Sequence, residues 1–373
     1  MTENINTAPE PADDESRGAG DGALEARETQ GKSQGKIVRE RFVRHRLAVG
    51  SLVVLIGIAV LAFSSVGFRL GTENFGVNVP GWWEWAPWER PSPDVHGYRV
   101  LNENGAPSLS MPWSEDGFQI GPHPFGQDDI GTDMFALAMK GVQTSMIIMV
   151  VLAVLATAIG VTVGAIAGYF RGWADQLLMR LTDLIITIPT IALAVVLGSI
   201  FGAANPVPLA VAIGLISWTS LGRLVRAEFL ALREREFVDA ARVAGASDTR
   251  IIFKHMLPNA MGVMIVTVTL LMSSAILLET SLSYLGFGIT SPNVSLGLLI
   301  SQYESAFAVR PWLFWWPGLF IVAIALCINF IGDGLRDAFD PRQRRIPSAR
   351  KLAAAERKVA RTAVPGAGSA GKV

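Results

Sequence analysis

Residues 236–259 read EFVDAARVAGASDTRIIFKHMLPN, and the interpretation of the whole chain turns on them. They form a charged, helix-compatible stretch between two long apolar segments. Phe237, Ala240, Ala241 and Ala244 recur at i, i+3, i+4 and i+7, which predicts a short helix with one flat, mostly methyl-sized face. Arg235, Glu236, Asp239 and Arg242 fall off that stripe. Gly245 then permits a positive φ that a Cβ would penalise, and Ser247 suits the N-cap of a second helix. Pro258 opens the next apolar run. A small-residue face lets another backbone approach closely, so two readings stand: a helix seated in a partner protein's groove, or an amphipathic helix resting on lipid headgroups.

The apolar segments on either side set the class. Half of the 373 residues are hydrophobic and 17% are charged, with a mean hydropathy of +0.38. Uncharged runs cover 47–68, 141–170, 184–222, 256–278 and 311–332. A spanning helix needs about 20 apolar residues. The run at 184–222 is too long for one helix, and Asn205-Pro206-Val207-Pro208 breaks it as a tight hairpin between two spans. The expectation is an all-α polytopic membrane protein with six transmembrane helices.

Lysine and arginine placement orients it. With both termini in the cytoplasm, segments 1–46, 171–183, 223–258 and 333–373 hold 27 of the 32 Lys and Arg residues. Formal net charge is zero, yet that average hides a cationic inner surface suited to anionic membrane lipid. The same membrane accounts for the basic patches, so no nucleic-acid partner is expected. Five regions follow: a flexible cytoplasmic tail at 1–46, an anchor span at 47–68, an external Trp/Pro-rich segment at 69–140, a five-span core at 141–332 with the loop 223–258 on its cytoplasmic side, and a cytoplasmic tail at 333–373. The first span exceeds a signal-peptide core and begins too far into the chain to be one. Cys327 is the single cysteine, which excludes an intrachain disulfide.

In the external segment, Trp82, Trp83, Trp85, Trp88 and Trp113 stand among prolines. Packing on themselves or along the outer leaflet is one reading, and a platform for another protein is the second. Asp128 and Asp133, with Gly126 and Gly131, are too sparse for a strong cation site and better suit a turn that caps the following helix.

Four stretches carry a resemblance. Asp239-Ala240-Ala241, Gly245 and Leu257-Pro258 stand in the order and spacing of the coupling loop of ABC-transporter permeases, with Asp239 in place of Glu and His255 in place of Ile. The form A-A-R-x-x-G-A-S…H-x-L-P-N, including Ala246, is similar to the dipeptide, oligopeptide and nickel importer branch (the C-type permease). Residues 123–135, HPFGQDDIGTDMF, resemble that family's H-P-x-G-T-D-x-x-G-R-D element, with Gln127 and Thr132 departing. Residues 278–288, LETSLSYLGFG, resemble its outer re-entrant element through Glu279, Thr280, Leu282, Ser283, Leu285, Gly286 and Gly288. Residues 332–342, GDGLRDAFDPR, resemble its ending except at Phe339.

The resemblance implies a type I ABC importer permease fold in a bacterial inner membrane. It implies four partners besides lipid: a homologous permease subunit, two cytoplasmic ATPase subunits and an extracytoplasmic solute-binding protein. The substrate expected is a di- or oligopeptide, with a nickel chelate or a sugar as the alternative. Phe237, Asp239, Ala240, Ala241, Gly245, Ala246, Leu257 and Pro258 are the implied ATPase-coupling residues, Ala241 facing the ATPase groove. Glu279, at the outer interface, is expected to bond backbone amides of the turn around Gly286 and Gly288. The chain carries no G-x-x-x-x-G-K-[ST] loop and no H-E-x-x-H, paired-Cys or G-x-S-x-G motif. No enzymatic activity, no metal and no bound cofactor are therefore expected, with ATP and Mg held by the partner subunits. Ionisable residues are scarce inside the spans, which argues against a secondary transporter driven by protons or sodium.

Overall fold

The structure is a computed structural model that describes residues 34–71, 76–87, 105–110, 119–201 and 205–339. Expectations for residues 1–33 and 340–373, and for Trp88 and Trp113, lie outside the described residues.

Helix formation begins before the first span. α1 (Gln34–Arg44) is separated from α2 (Arg46–Ser65) by His45, whose Nδ1 accepts from the Ala48 N–H at 3.1 Å and so caps α2. The region expected to be a flexible tail through residue 46 is thus helical from Gln34. Arg41 donates to the Ala338 carbonyl at 3.4 Å, which pins α1 beneath the last helix. After α2, β1 (Phe68–Gly71) pairs antiparallel with β2 (Gly76–Val79), and a second small ribbon joins β3 (Leu109–Ser110) to β4 (Gln119–Ile120).

The long helix α3 (Met134–Phe170) starts seven residues before the apolar run at 141. Its start is set by the Asp133 carboxylate, which accepts from the Ala136 N–H at 2.8 Å, and not by the last charge, Lys140. At 1.5 Å per residue the helix is about 55 Å long, well beyond a 30 Å hydrocarbon core.

The two spans expected within 184–222 are both bent. α4 (Gly172–Thr187) and α5 (Thr190–Phe201) meet at 83°, and α6 (Pro206–Ser217) and α7 (Thr219–Arg233) at 42°. The first bend follows from Pro189: Ile188 takes φ −82°, ψ 127°, the extended backbone favoured before proline. At the second, the Trp218 indole N–H takes the Leu215 carbonyl at 2.9 Å, competing with the helix ladder. Asn205 caps α6 and Pro206 occupies its first turn.

The remaining elements are α8 (Glu236–Val243), the single turn α9 (Asp248–Arg250), a π-turn (Ile251–Met256), α10 (Leu257–Tyr284), α11 (Leu296–Tyr303) and α12 (Trp312–Phe339). Among the described residues, four helices are long and apolar enough to cross a membrane unbroken, and counting each bent pair as one span brings the number to six.

Packing organises these helices around α3. Gly160, Gly164 and Gly168 recur every four residues on the face that meets α7, where a Cβ at Gly168 would lie 2.6 Å from that of Phe229. Small residues at this spacing let two helix backbones close together without a hydrophobic driving force from water. Two buried clusters result. One lies around Met134, Leu137, Ile148, Leu209, Ile276, Leu296 and Ile324. The other, at the opposite end of α3, gathers Tyr169, Leu221, Val225, Phe229, Val238, Ile251 and Met256.

Candidate functional site

The second cluster carries the loop from which the sequence was read. Arg235 is extended (φ −89°, ψ 141°), and α8 runs for eight residues after it. It ends in a Schellman closure: the Gly245 N–H reaches the Arg242 carbonyl at 2.9 Å and the Ala246 N–H reaches that of Ala241 at 3.0 Å. Gly245 has φ +76°, and no heavy atom lies within 4 Å of where its Cβ would stand. Glycine is therefore required there by backbone conformation alone. Ser247 then caps α9, its Oγ accepting from the Arg250 N–H at 3.4 Å.

Pro258 does not begin a separate helix. Lacking an N–H, it removes one donor from the ladder. The chain widens into the π-turn just ahead of it, the Leu257 N–H reaching back five residues to Ile252. The result is one rod, Asp248–Tyr284, that carries the second half of the loop directly into a span.

The alanine stripe is not a single free face. Val238 is the buried residue of α8, and Ala241, about 60° away around the helix, is half-buried with Ala246 and Leu257 against the same cluster. Ala241 thus packs partly against its own protein and keeps part of its surface exposed. Ala240, Ala244 and Phe237 are exposed, as are Asp239 and Pro258. Val243, outside the stripe and unnoticed in the sequence, is 90% exposed. The free face of α8 therefore presents Phe237, Ala240, Val243 and Ala244, with the exposed carboxylates of Glu236 and Asp239 beside them.

At the other end of the molecule, Glu279 is wholly buried within the protein. Its carboxylate accepts from Ser145 on α3 and from Ser283, both at 2.8 Å. The backbone amides of the turn are not its direct partners. Ser283 intervenes, its Oγ accepting from the Ile289 N–H at 3.0 Å. Gly286 (φ +83°) closes α10 with the same backbone pattern that Gly245 gives α8. Gly288 packs so tightly on Ser283 that a Cβ would fall 2.5 Å from its backbone nitrogen. Ser145 lies 134 residues from Glu279, which is why the pairing was illegible in sequence.

The neighbouring aspartates are structural. Asp133 caps α3 while also bonding His123 Nδ1 at 2.9 Å and the Trp83 indole N–H at 2.8 Å. Asp128 accepts from the Ile130 and Thr132 amides and from the Tyr303 hydroxyl at 3.2 Å. Burial and the adjacent Asp128 charge raise the Tyr303 pKa well above its ordinary value. Among the described residues no group of His, Cys, Asp or Glu has metal-holding geometry. Trp83 and Trp85 pack inward on Phe135 and His123, with centroids 4.4 and 4.7 Å apart, whereas Trp82 is 60% exposed.

Residues 160–345 match the family described as binding-protein-dependent transport system inner membrane component. The chain is 37% identical over 317 residues to the oligopeptide transport system permease protein OppC of Mycobacterium tuberculosis, covering 85% of this chain and 97% of that one. It is 33% identical over 323 residues to OppC of Haemophilus influenzae, covering 86% and 93%. A solved structure of the MetNI methionine ABC transporter, in an inward-facing conformation, aligns with 56% of this chain and 98% of its own at 20% identity and a TM-score of 0.47.

Proposed function

This chain belongs to the binding-protein-dependent transport system inner membrane components, and from that premise we propose that it imports di- or oligopeptides as one of two permeases in an ATP-driven complex. A homologous permease, two cytoplasmic ATPase subunits that hold ATP and Mg, and an extracytoplasmic solute-binding protein complete the assembly. Both termini and the α8 loop lie on the cytoplasmic side. The peptide reading is supported by the relatives named above, each an oligopeptide permease over nearly its full length.

The observation that carries the mechanism is α8 itself. It is a short helix with an exposed face that presents Phe237, Ala240, Val243 and Ala244, held at the end of a spanning bundle and joined by one glycine turn to a continuous 37-residue rod. Such a face seats in a groove of an ATPase subunit. When ATP closes the ATPase pair, α8 is carried with it, and the spans exchange an inward-open for an outward-open arrangement. The energetic link is the difference in α8 contacts between the two states.

Two measurements on the assembled complex in proteoliposomes test this. Oligopeptide uptake should require ATP and survive collapse of ion gradients; uptake that follows a gradient without ATP would refute the reading. Ala240→Glu should leave membrane insertion intact yet abolish ATP-driven uptake and co-purification of the ATPase, because it buries an unpaired charge in the groove. A helix resting on lipid headgroups would tolerate that carboxylate beside Asp239, so normal uptake in this variant removes the case for docking.

A further inference from the structure

We propose that Tyr169 is a positioning residue that locks both sides of the Gly245 turn to α3, so that a displacement of α8 moves α3, α7 and α10 as one body. The proposal rests on the reading of α8 as the ATPase contact and names the part that transmits its motion.

The need for such a part is visible in α8. Val238 is the buried residue of this helix, with half-buried Ala241 beside it. An apolar cushion of that size resists separation but has no direction, so a pushed helix can roll or slide upon it. Directional bonds fix orientation.

Tyr169, in the last turn of α3, supplies them. Its ring is buried in the inner cluster, and its hydroxyl donates to Asp248 Oδ1 at 2.6 Å. The Arg242 guanidinium lies 5.8 Å from the centroid of the same ring. Arg242 precedes Gly245 and Asp248 follows it, so one side chain grips the turn on both sides. A second cation, Arg233 at the end of α7, also lies 5.8 Å from the ring centroid and donates to the Tyr169 carbonyl at 2.5 Å. The ends of α3 and α7 and both arms of the loop therefore converge on one residue. A cation over an aromatic face and a hydroxyl bonded to a carboxylate are the stronger members of their classes. Arg226 extends the block to α4 through a bidentate pair with Asp175 at 2.5 and 2.6 Å.

None of these contacts involves the free face of α8, which gives the test its sharpness. Tyr169→Phe keeps the ring and its cations but deletes the hydroxyl bond to Asp248. In proteoliposomes, the ATPase should co-purify with the variant as with wild type. ATP hydrolysed per peptide imported should rise about tenfold, the factor that one charge-assisted hydrogen bond is worth. Asp248→Asn, which retains an oxygen acceptor but not the charge, should fall between wild type and Tyr169→Phe, whereas Asp248→Ala should match Tyr169→Phe. The double variant should be no worse than either single one. An unchanged ratio in Tyr169→Phe, loss of ATPase binding in that variant, or additive effects in the double variant would each overturn the proposal. Ala240→Glu in the same preparation separates this outcome from failure of the docking reading, because only the latter leaves Ala240→Glu bound to the ATPase and active.

Discussion

Gly245 offers the most quantitative test of the loop. At φ +76° it occupies the left-handed region, and space is open around its Cβ position. Substitution therefore costs backbone strain and no steric clash. For an ordinary L-residue that strain is about 1–2 kcal/mol, enough to lower the population of the native turn about 5- to 30-fold relative to alternatives. Leaving this conformation breaks the Ala246 N–H bond to Ala241 and the Gly245 N–H bond to Arg242, and it swings α8 away from Val238's seat. Asparagine tolerates this region better than alanine, and β-branched valine tolerates it worst. The expected order of ATP-driven uptake is thus Gly, Asn, Ala, Val. Membrane insertion should be equal throughout, since the turn lies outside the spans. Uptake of labelled peptide into proteoliposomes, with ATPase retained per permease measured alongside, gives the series. Wild-type uptake by Gly245→Val would refute the claim that the turn matters. An asparagine variant as impaired as valine would refute the conformational argument, since the loss would then follow side-chain volume.

Three further expectations concern the rest of the molecule. In a Cys327-free background with single cysteine probes at Ser33, Ser110 and Ser348, an impermeant reagent on intact cells should label only the Ser110 probe; labelling at Ser348 overturns the proposed orientation. Glu279→Ala leaves the buried Ser145 and Ser283 hydroxyls without their carboxylate and should destabilise the permease by about 1–3 kcal/mol for each group stranded. Glu279→Gln, which retains one acceptor, should cost less, and equal thermal unfolding midpoints for both variants would contradict that network. Asp133→Ala removes the α3 cap together with the partners of His123 and Trp83. A loss of about 1–2 kcal/mol from the cap alone should appear in thermal unfolding, and an unchanged midpoint would show that another group takes over the cap.

Residue type and local spacing determined much of this protein. The lengths of the uncharged runs sufficed to locate the apolar segments of candidate spans, because the bilayer sets one length scale that any sequence must meet. The positive φ at Gly245, the cap at Ser247 and the helix start at Asp133 were legible for a similar reason: each satisfies backbone groups within a few residues. The order and spacing around Asp239-Ala240-Ala241, Gly245 and Leu257-Pro258 pointed to the family that the relatives then showed. Tertiary structure decided what depends on distant partners. Helical periodicity placed Ala241 in a stripe with Ala240, but which edge of that stripe turns inward depends on where Val238 meets the ends of α3 and α7. The spans at 184–222 read as continuous, yet Pro189 and the Trp218 indole bend them by removing or diverting ladder bonds. Counting residues from Pro258 could set the depth of Glu279 but not its partners; its carboxylate meets Ser145 only through the packing of α3 against α10. Tyr169 was one aromatic residue at the end of an apolar run until folding set Arg233, Arg242 and Asp248 around it. Local hydrogen bonds are satisfied within a turn and leave a trace in sequence, whereas a buried charge or a ring finds its partners only when the helices pack.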